Sequence, residues 1–211
     1  MLNFFGSHDS TSDRGEAARE SRKSSGWAQL QKHLAAHEGL RILDIGPTSA
    51  ININYITSLG HSIYMANLVA EASRPEYVVT DAGGEGKHFD VERFVAANLD
   101  FAGRMFDVVT FWDTADYLPA ALLAPVIDRI HEVMLPGGVL LGFFHSKANA
   151  GEVRFSRYHL TATDAIDIQR TGAHPILNVY NNRQIEKLLE NFSSTKFFLA
   201  KDSLREVVAI R

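Results

Sequence analysis

A few groups of residues in this 211-residue chain have the types and spacing to do chemistry. Asp113 and Asp116 follow the apolar run 106–112, and three residues apart they share a side if the segment turns helical. Asp113 is the leading candidate for contact with a substrate or a cofactor amine. For Asp116 the stronger reading is a cap on the helix that starts near Pro119. Trp112 and Tyr117 could wall an aromatic pocket, although Trp112 reads equally well as core. His145 ends a second apolar run, 139–144, where an imidazole could serve as general base near neutral pH or simply be bonded at a strand end. Arg154 and Arg157, with Tyr158 and then Arg170, could grip a substrate carboxylate or phosphate. On a strand, however, a spacing of three puts two arginines on opposite faces, so at least one reads as a surface ion pair. Earlier in the chain, Asp44 and Gly46 sit where a buried strand turns tightly into a helix. Such turns bind nucleotide-like ligands in doubly wound α/β domains.

Composition narrows the chemistry. The chain has no cysteine, which excludes a thiol nucleophile, a disulfide framework and thiolate metal centres. Its net charge of −4 implies no polyanionic partner. No metal is expected: His33 and His37 lie four apart on a helix, but no third ligand is placed with them. No apolar run approaches a membrane span. Leu2, Phe4 and Phe5 begin an apolar start that stops at Gly6, without the pattern of a signal peptide, and a cytoplasmic location is expected. Residues 1–25 read as a mobile polar tail. Residues 26–211 read as one domain, with 146–180 as a lid or substrate cover.

The positioning elements follow from periodicity. Trp27, Leu30, Leu34 and Ala35 share a helical face. Strands are expected at 41–45, 62–66, 77–80, 106–112 and 139–144. Helices are expected at 49–59, capped by Thr48 or Ser49, then at 90–98, 119–134 and 181–191. Segments 152–160 and 165–170 could form a hairpin, and 195–199 with 205–210 can pair only antiparallel. The continuous apolar strands suit a parallel sheet covered by helices on both faces.

This order of parts, over roughly residues 39–211, resembles the class I S-adenosylmethionine-dependent methyltransferase family. The resemblance is carried by Ile42-Leu43-Asp44-Ile45-Gly46, by Phe106-Asp107-Val108-Val109 and by Leu135-Pro136-Gly137-Gly138-Val139-Leu140. It implies a doubly wound, mostly parallel seven-stranded sheet with an antiparallel C-terminal strand. It also implies S-adenosylmethionine as cofactor and direct methyl transfer in a cleft at the carboxyl ends of the strands. In the family the first-motif loop passes close to the methionine part and ribose of the cofactor. Asp44, Gly46, Thr48 and Ser49 match that loop, with Thr48 and Ala50 where further glycines usually stand and Pro47 lacking an N–H. Asn67 falls where an acid usually holds the ribose, Asp81 where an acid reads the adenine amine, and Trp112 at the strand-four edge. Asp44→Ala and Gly46→Val are therefore expected to abolish cofactor binding and leave the fold intact.

The expected partner is a small molecule, with no nucleic acid and no membrane, since no basic stripe is present. Oligomeric state is not readable. Two alternatives stay open: a non-catalytic binding or scaffold member of the same fold, and a nicotinamide-dependent oxidoreductase. The second fails at both later glycines of the window Gly46-Pro47-Thr48-Ser49-Ala50-Ile51.

Overall fold

A computed structural model describes residues 18–81, 84, 86–149, 151–172, 174–200 and 202–211. Helix α1 (Ser25–Ala36) is opened by Ser24, whose side chain accepts from the Trp27 N–H. It buries Trp27, Leu30 and Leu34. Strand β2 (Arg41–Ile45) runs into helix α2 (Ala50–Ser58), capped by Ser49, and β3 (Ser62–Ala66) follows. Helix α3 (Leu68–Ala72) is short. Beyond it β4 (Val78–Thr80) pairs with β5 (Lys87–Phe89), before α4 (Val91–Asn98), capped by Asp90. Strand β6 (Phe106–Trp112), helix α5 (Ala120–Val133) and strand β7 (Met134–His145) carry most of the core. Helix α6 (Asn182–Leu188) begins with a capping box built from Asn181 and Gln184.

The main sheet runs β10-β11-β7-β6-β2-β3, where β10 is Ser194–Leu199 and β11 is Leu204–Ile210. The pairs β2–β3, β2–β6 and β6–β7 are parallel, while β11 is antiparallel to both β7 and β10. The described sheet therefore has six strands rather than seven. Segment 78–80, expected to extend the sheet, forms its own antiparallel hairpin with β5 instead. The Pro136-Gly137-Gly138 turn lies inside β7. The pairing jumps from Phe106–Met134 to Val108–Val139, so the turn stands out as a bulge, and its ends bond to Arg211.

The tail reading needs correction. Residues 1–17 lie outside the described residues, but Arg19–Lys23 form a strand, β1, antiparallel to β9 (Ala165–Arg170). With β8 (Ser156–Leu160) they make a three-stranded sheet, β1-β9-β8. The alternation in 19–23 is short and almost wholly polar, so its partner cannot be read locally. A buried ion cluster fixes it. Arg22 bonds to Asp202, to Glu206 and to the Leu204 carbonyl, and Glu206 also accepts from the Ser24 hydroxyl and the Gly26 N–H. A Cβ on Gly26 would meet Leu141 Cδ1 at 2.7 Å and Glu206 Oε2 at 2.9 Å, which is why the approach needs glycine.

No helix among the described residues is long and apolar enough to cross a membrane, and no group of three or more His, Asp or Glu among them could hold a metal.

Candidate functional site

The first-motif turn is built as its sequence suggests, but its surface is taken up. Gly46 has φ +155°, and a Cβ there would lie 3.0 Å from Trp112 Cδ1. The indole thus rests on the glycine itself. Trp112, with φ +42°, is one of the few non-glycine residues in left-handed backbone, a strained choice for a large side chain. It is fixed on all sides: its Nε1 donates to Asp44 at 2.6 Å, and its ring stacks on Tyr158 at 5.0 Å and 5°. Phe143 meets both rings edge-on. Such aromatic pairs contribute about 0.5–1.5 kcal/mol each beyond buried area.

Asp44 is fully committed. One carboxylate oxygen accepts from Thr110 and Trp112, the other from Thr48. Burial raises its pKa, and the bonds from Thr110, Thr48 and Trp112 oppose the rise. Strand β8 covers what remains of the loop. Arg157 donates to the Pro47 carbonyl, His159 Nδ1 pairs with the Ser49 hydroxyl, and Asn52 bonds to the backbone of Tyr158 and Leu160. Three cavities of about 340, 360 and 430 Å³ open elsewhere, and none has Gly46, Thr48, Ser49 or Asn67 on its walls. Asn67 spends its side chain capping α3. Asp81 is exposed and bonded to His88 at 2.7 Å. At this loop S-adenosylmethionine would meet the Trp112 indole on Gly46 and side chains of Asp44, Ser49 and Asn67 already bonded within the protein, a poor fit in this arrangement.

A second cluster forms at the carboxyl ends of β6 and β7. Asp116 is buried, and one oxygen accepts from the His145 N–H at 2.7 Å and from its Nδ1 at 2.8 Å. The expected capping role is absent: α5 starts at Pro119 with no side-chain cap. Asp113 is bonded by the Tyr158 hydroxyl. Burial pushes its pKa up to about 7, against a smaller lowering by His145. Tyr117 packs edge-on against Phe155 and His145, its phenol raised by burial and by Asp113 and Asp116. Asp113 Oδ2, Asp116 Oδ1, the Tyr117 and Tyr180 hydroxyls and Arg205 Nε are buried without a partner. Buried polar atoms left without a protein partner are uncommon, and these concentrate around Asp116 at the strand ends.

The fold thus brings Asp113, Asp116, Tyr117 and His145 together, with Trp112 beside them. It sends Arg154 and Arg157 to opposite sides: Arg157 to the Pro47 carbonyl, Arg154 to Glu152 and Ser203. Asn67 and Asp81 lie apart from the cluster's bonds. Sequence reasoning missed Asn52, Thr110 and His159. Each is an ordinary polar residue in an element, and only the packing of β8 reveals its role.

No family model matches the chain, and no curated protein matches it. Solved structures are similar in shape. They include an S-adenosylmethionine-dependent methyltransferase from Methanosarcina mazei, 13% identical, TM-score 0.49, covering 85% of this chain and 96% of that one. Another, from Clostridium acetobutylicum, is 12% identical, TM-score 0.49, covering 87% and 89%. Magnesium protoporphyrin IX methyltransferase from Synechocystis, solved with bound S-adenosylmethionine, is 16% identical, TM-score 0.46, covering 88% and 77%. By its own topology the chain is a Rossmann-like α/β domain with a central, mostly parallel sheet. That sheet consists of the parallel β3-β2-β6-β7 block and the antiparallel β10–β11 pair at its other edge.

Proposed function

We propose that the protein is a binding member of the methyltransferase fold, taking a small molecule at the carboxyl edge of the sheet without S-adenosylmethionine in the first-motif loop. The observation that carries this is the Trp112 indole seated on Gly46 and stacked under Tyr158. Fold alone does not carry an activity, and here the altered loop and the covering strand agree. Titration calorimetry with S-adenosylhomocysteine tests it. No saturable heat is expected up to millimolar ligand; binding at micromolar concentration overturns the reading.

A second reading is an S-adenosylmethionine-dependent methyltransferase acting on a small molecule. It is favoured by Asp113, Asp116, Tyr117 and His145 meeting at the strand ends, where such sheets place ligands. In it His145, oriented by Asp116, takes a proton from the acceptor. It requires Trp112 to leave Gly46. Cofactor-dependent methylation of a small acceptor by the wild-type protein would establish it, whereas robust methylation of bulk RNA or DNA would remove the small-molecule assignment. A cytoplasmic location belongs to both readings.

A further inference from the structure

The face of the β1-β9-β8 sheet looks onto a cavity of about 360 Å³, of a size that holds a small metabolite. Cross-strand register organises the wall. Arg170 pairs with Ser156 in one row, and Glu20, Ile168 and Tyr158 share the next. His145 and residues 202–204 close the opposite side. The charges on this wall are not equivalent. Arg22 is held by Asp202 and Glu206, and Arg154 by Glu152 and Ser203. The Arg170 guanidinium has no ion pair or side-chain hydrogen bond among the described residues, and its charge acts on the Tyr117 hydroxyl. His145 is oriented by Asp116 through Nδ1, which leaves Nε2 as the unpartnered ring nitrogen at the wall.

We propose that this cavity binds a small molecule carrying one carboxylate or phosphate group. Arg170 receives the anionic oxygens through its planar fork, while Arg154 stays with Glu152 and Ser203 on the wall. His145 Nε2 accepts from a hydroxyl or amine of the same ligand. Glu20, one row from Arg170, opposes a second anionic group, so the ligand has one anionic end and a donor at the other. The proposal deepens the small-molecule reading above and names its ligand class.

Titration of the full chain with inorganic phosphate, glycolate and succinate, followed by the His145 ring signals in NMR, tests it. A saturable shift with phosphate or glycolate is expected at millimolar concentration, and whichever of the two binds tighter identifies the anionic group. Arg170→Ala, at an exposed position, should weaken that binding at least tenfold, with Arg170→Lys in between. Glu20→Gln should strengthen succinate binding several-fold. No saturable shift with either probe, or an unchanged affinity in Arg170→Ala, overturns the proposal. The cofactor titration fails independently: binding of S-adenosylhomocysteine would sink the closed-loop reading and leave the anion site standing, and the converse also holds.

Discussion

Asp113 is a buried carboxyl group whose pKa is lifted by desolvation to about 7 from the usual 3.8. Between about pH 4 and pH 7 the folded protein keeps a proton that the unfolded chain has released. Stability from this group therefore falls as pH rises through that window and levels off above it. Asp113→Asn should flatten the slope, gaining on the order of 2 kcal/mol relative to wild type between pH 5 and pH 8. Urea unfolding at the two pH values measures it, and equal slopes in both proteins would refute the assignment. Asp116 is also raised, chiefly by burial, and contributes the same sign in both proteins. Asp44 is a different case, because its carboxylate satisfies Thr48, Thr110 and Trp112 at once. Asp44→Ala strands buried donors at about 1–3 kcal/mol each. The melting temperature should drop by roughly 10 °C with the fold retained at room temperature, which a thermal melt measures. Gly46→Val should also destabilise, since its Cβ would lie 3.0 Å from Trp112 Cδ1 and the indole would have to shift.

At the scale of elements, β8 acts as a cover on the loop between β2 and α2. Among the contacts that dock it, one carboxamide serves two backbone groups: Asn52 donates to the Tyr158 carbonyl and accepts from the Leu160 N–H, both at 2.9 Å. Asn52→Ala should cost about 2 kcal/mol, since two buried backbone groups lose their partner. Hydrogen exchange should accelerate at the Leu160 amide and remain unchanged in α6, where Gln184 and Asn181 cap each other. Uniform acceleration across both regions would mean global destabilisation and refute β8 as a separately docked element.

On the scale of the whole molecule, the two ends of the described chain are joined by the Arg22 cluster. Glu206 is buried and depends on Arg22, Ser24 and the Gly26 N–H for its charge to be tolerated. Removing one member of such a cluster leaves an uncompensated charge, at about 3–5 kcal/mol. Arg22→Met should destabilise by that order, and adding Glu206→Gln should recover part of it. A double-mutant cycle in urea, with additive losses, would show the two side chains to be uncoupled. Since β1 lies beside the cavity lined by Arg170 and His145, the same variant should loosen that cavity while leaving the β2–β6 pairing intact.

The sequence by itself determined the α/β alternation, a cap at Thr48 or Ser49, the apolar runs of β6 and β7 and the residues that end them. Those features are local: apolar periodicity and capping are written within a few residues of where they act. The motif at 42–46 was equally legible as a turn. Its occupancy was not, because occupancy is decided by groups far away in sequence. Trp112 reaches Gly46 from another strand, and Tyr158 reaches Trp112 from an insert more than forty residues further on. The sheet lost its expected seventh strand for a similar reason: 78–80 is three residues long, and pairing with the nearby 87–89 requires only a short loop. The polar strand 19–23 had no hydrophobic pattern to reveal it, and only a buried arginine and two carboxylates from the other end of the chain place it. Only the tertiary structure decided that Asp116 holds His145 instead of capping a helix, because a side chain goes to the nearest buried donor and that donor lies 29 residues away.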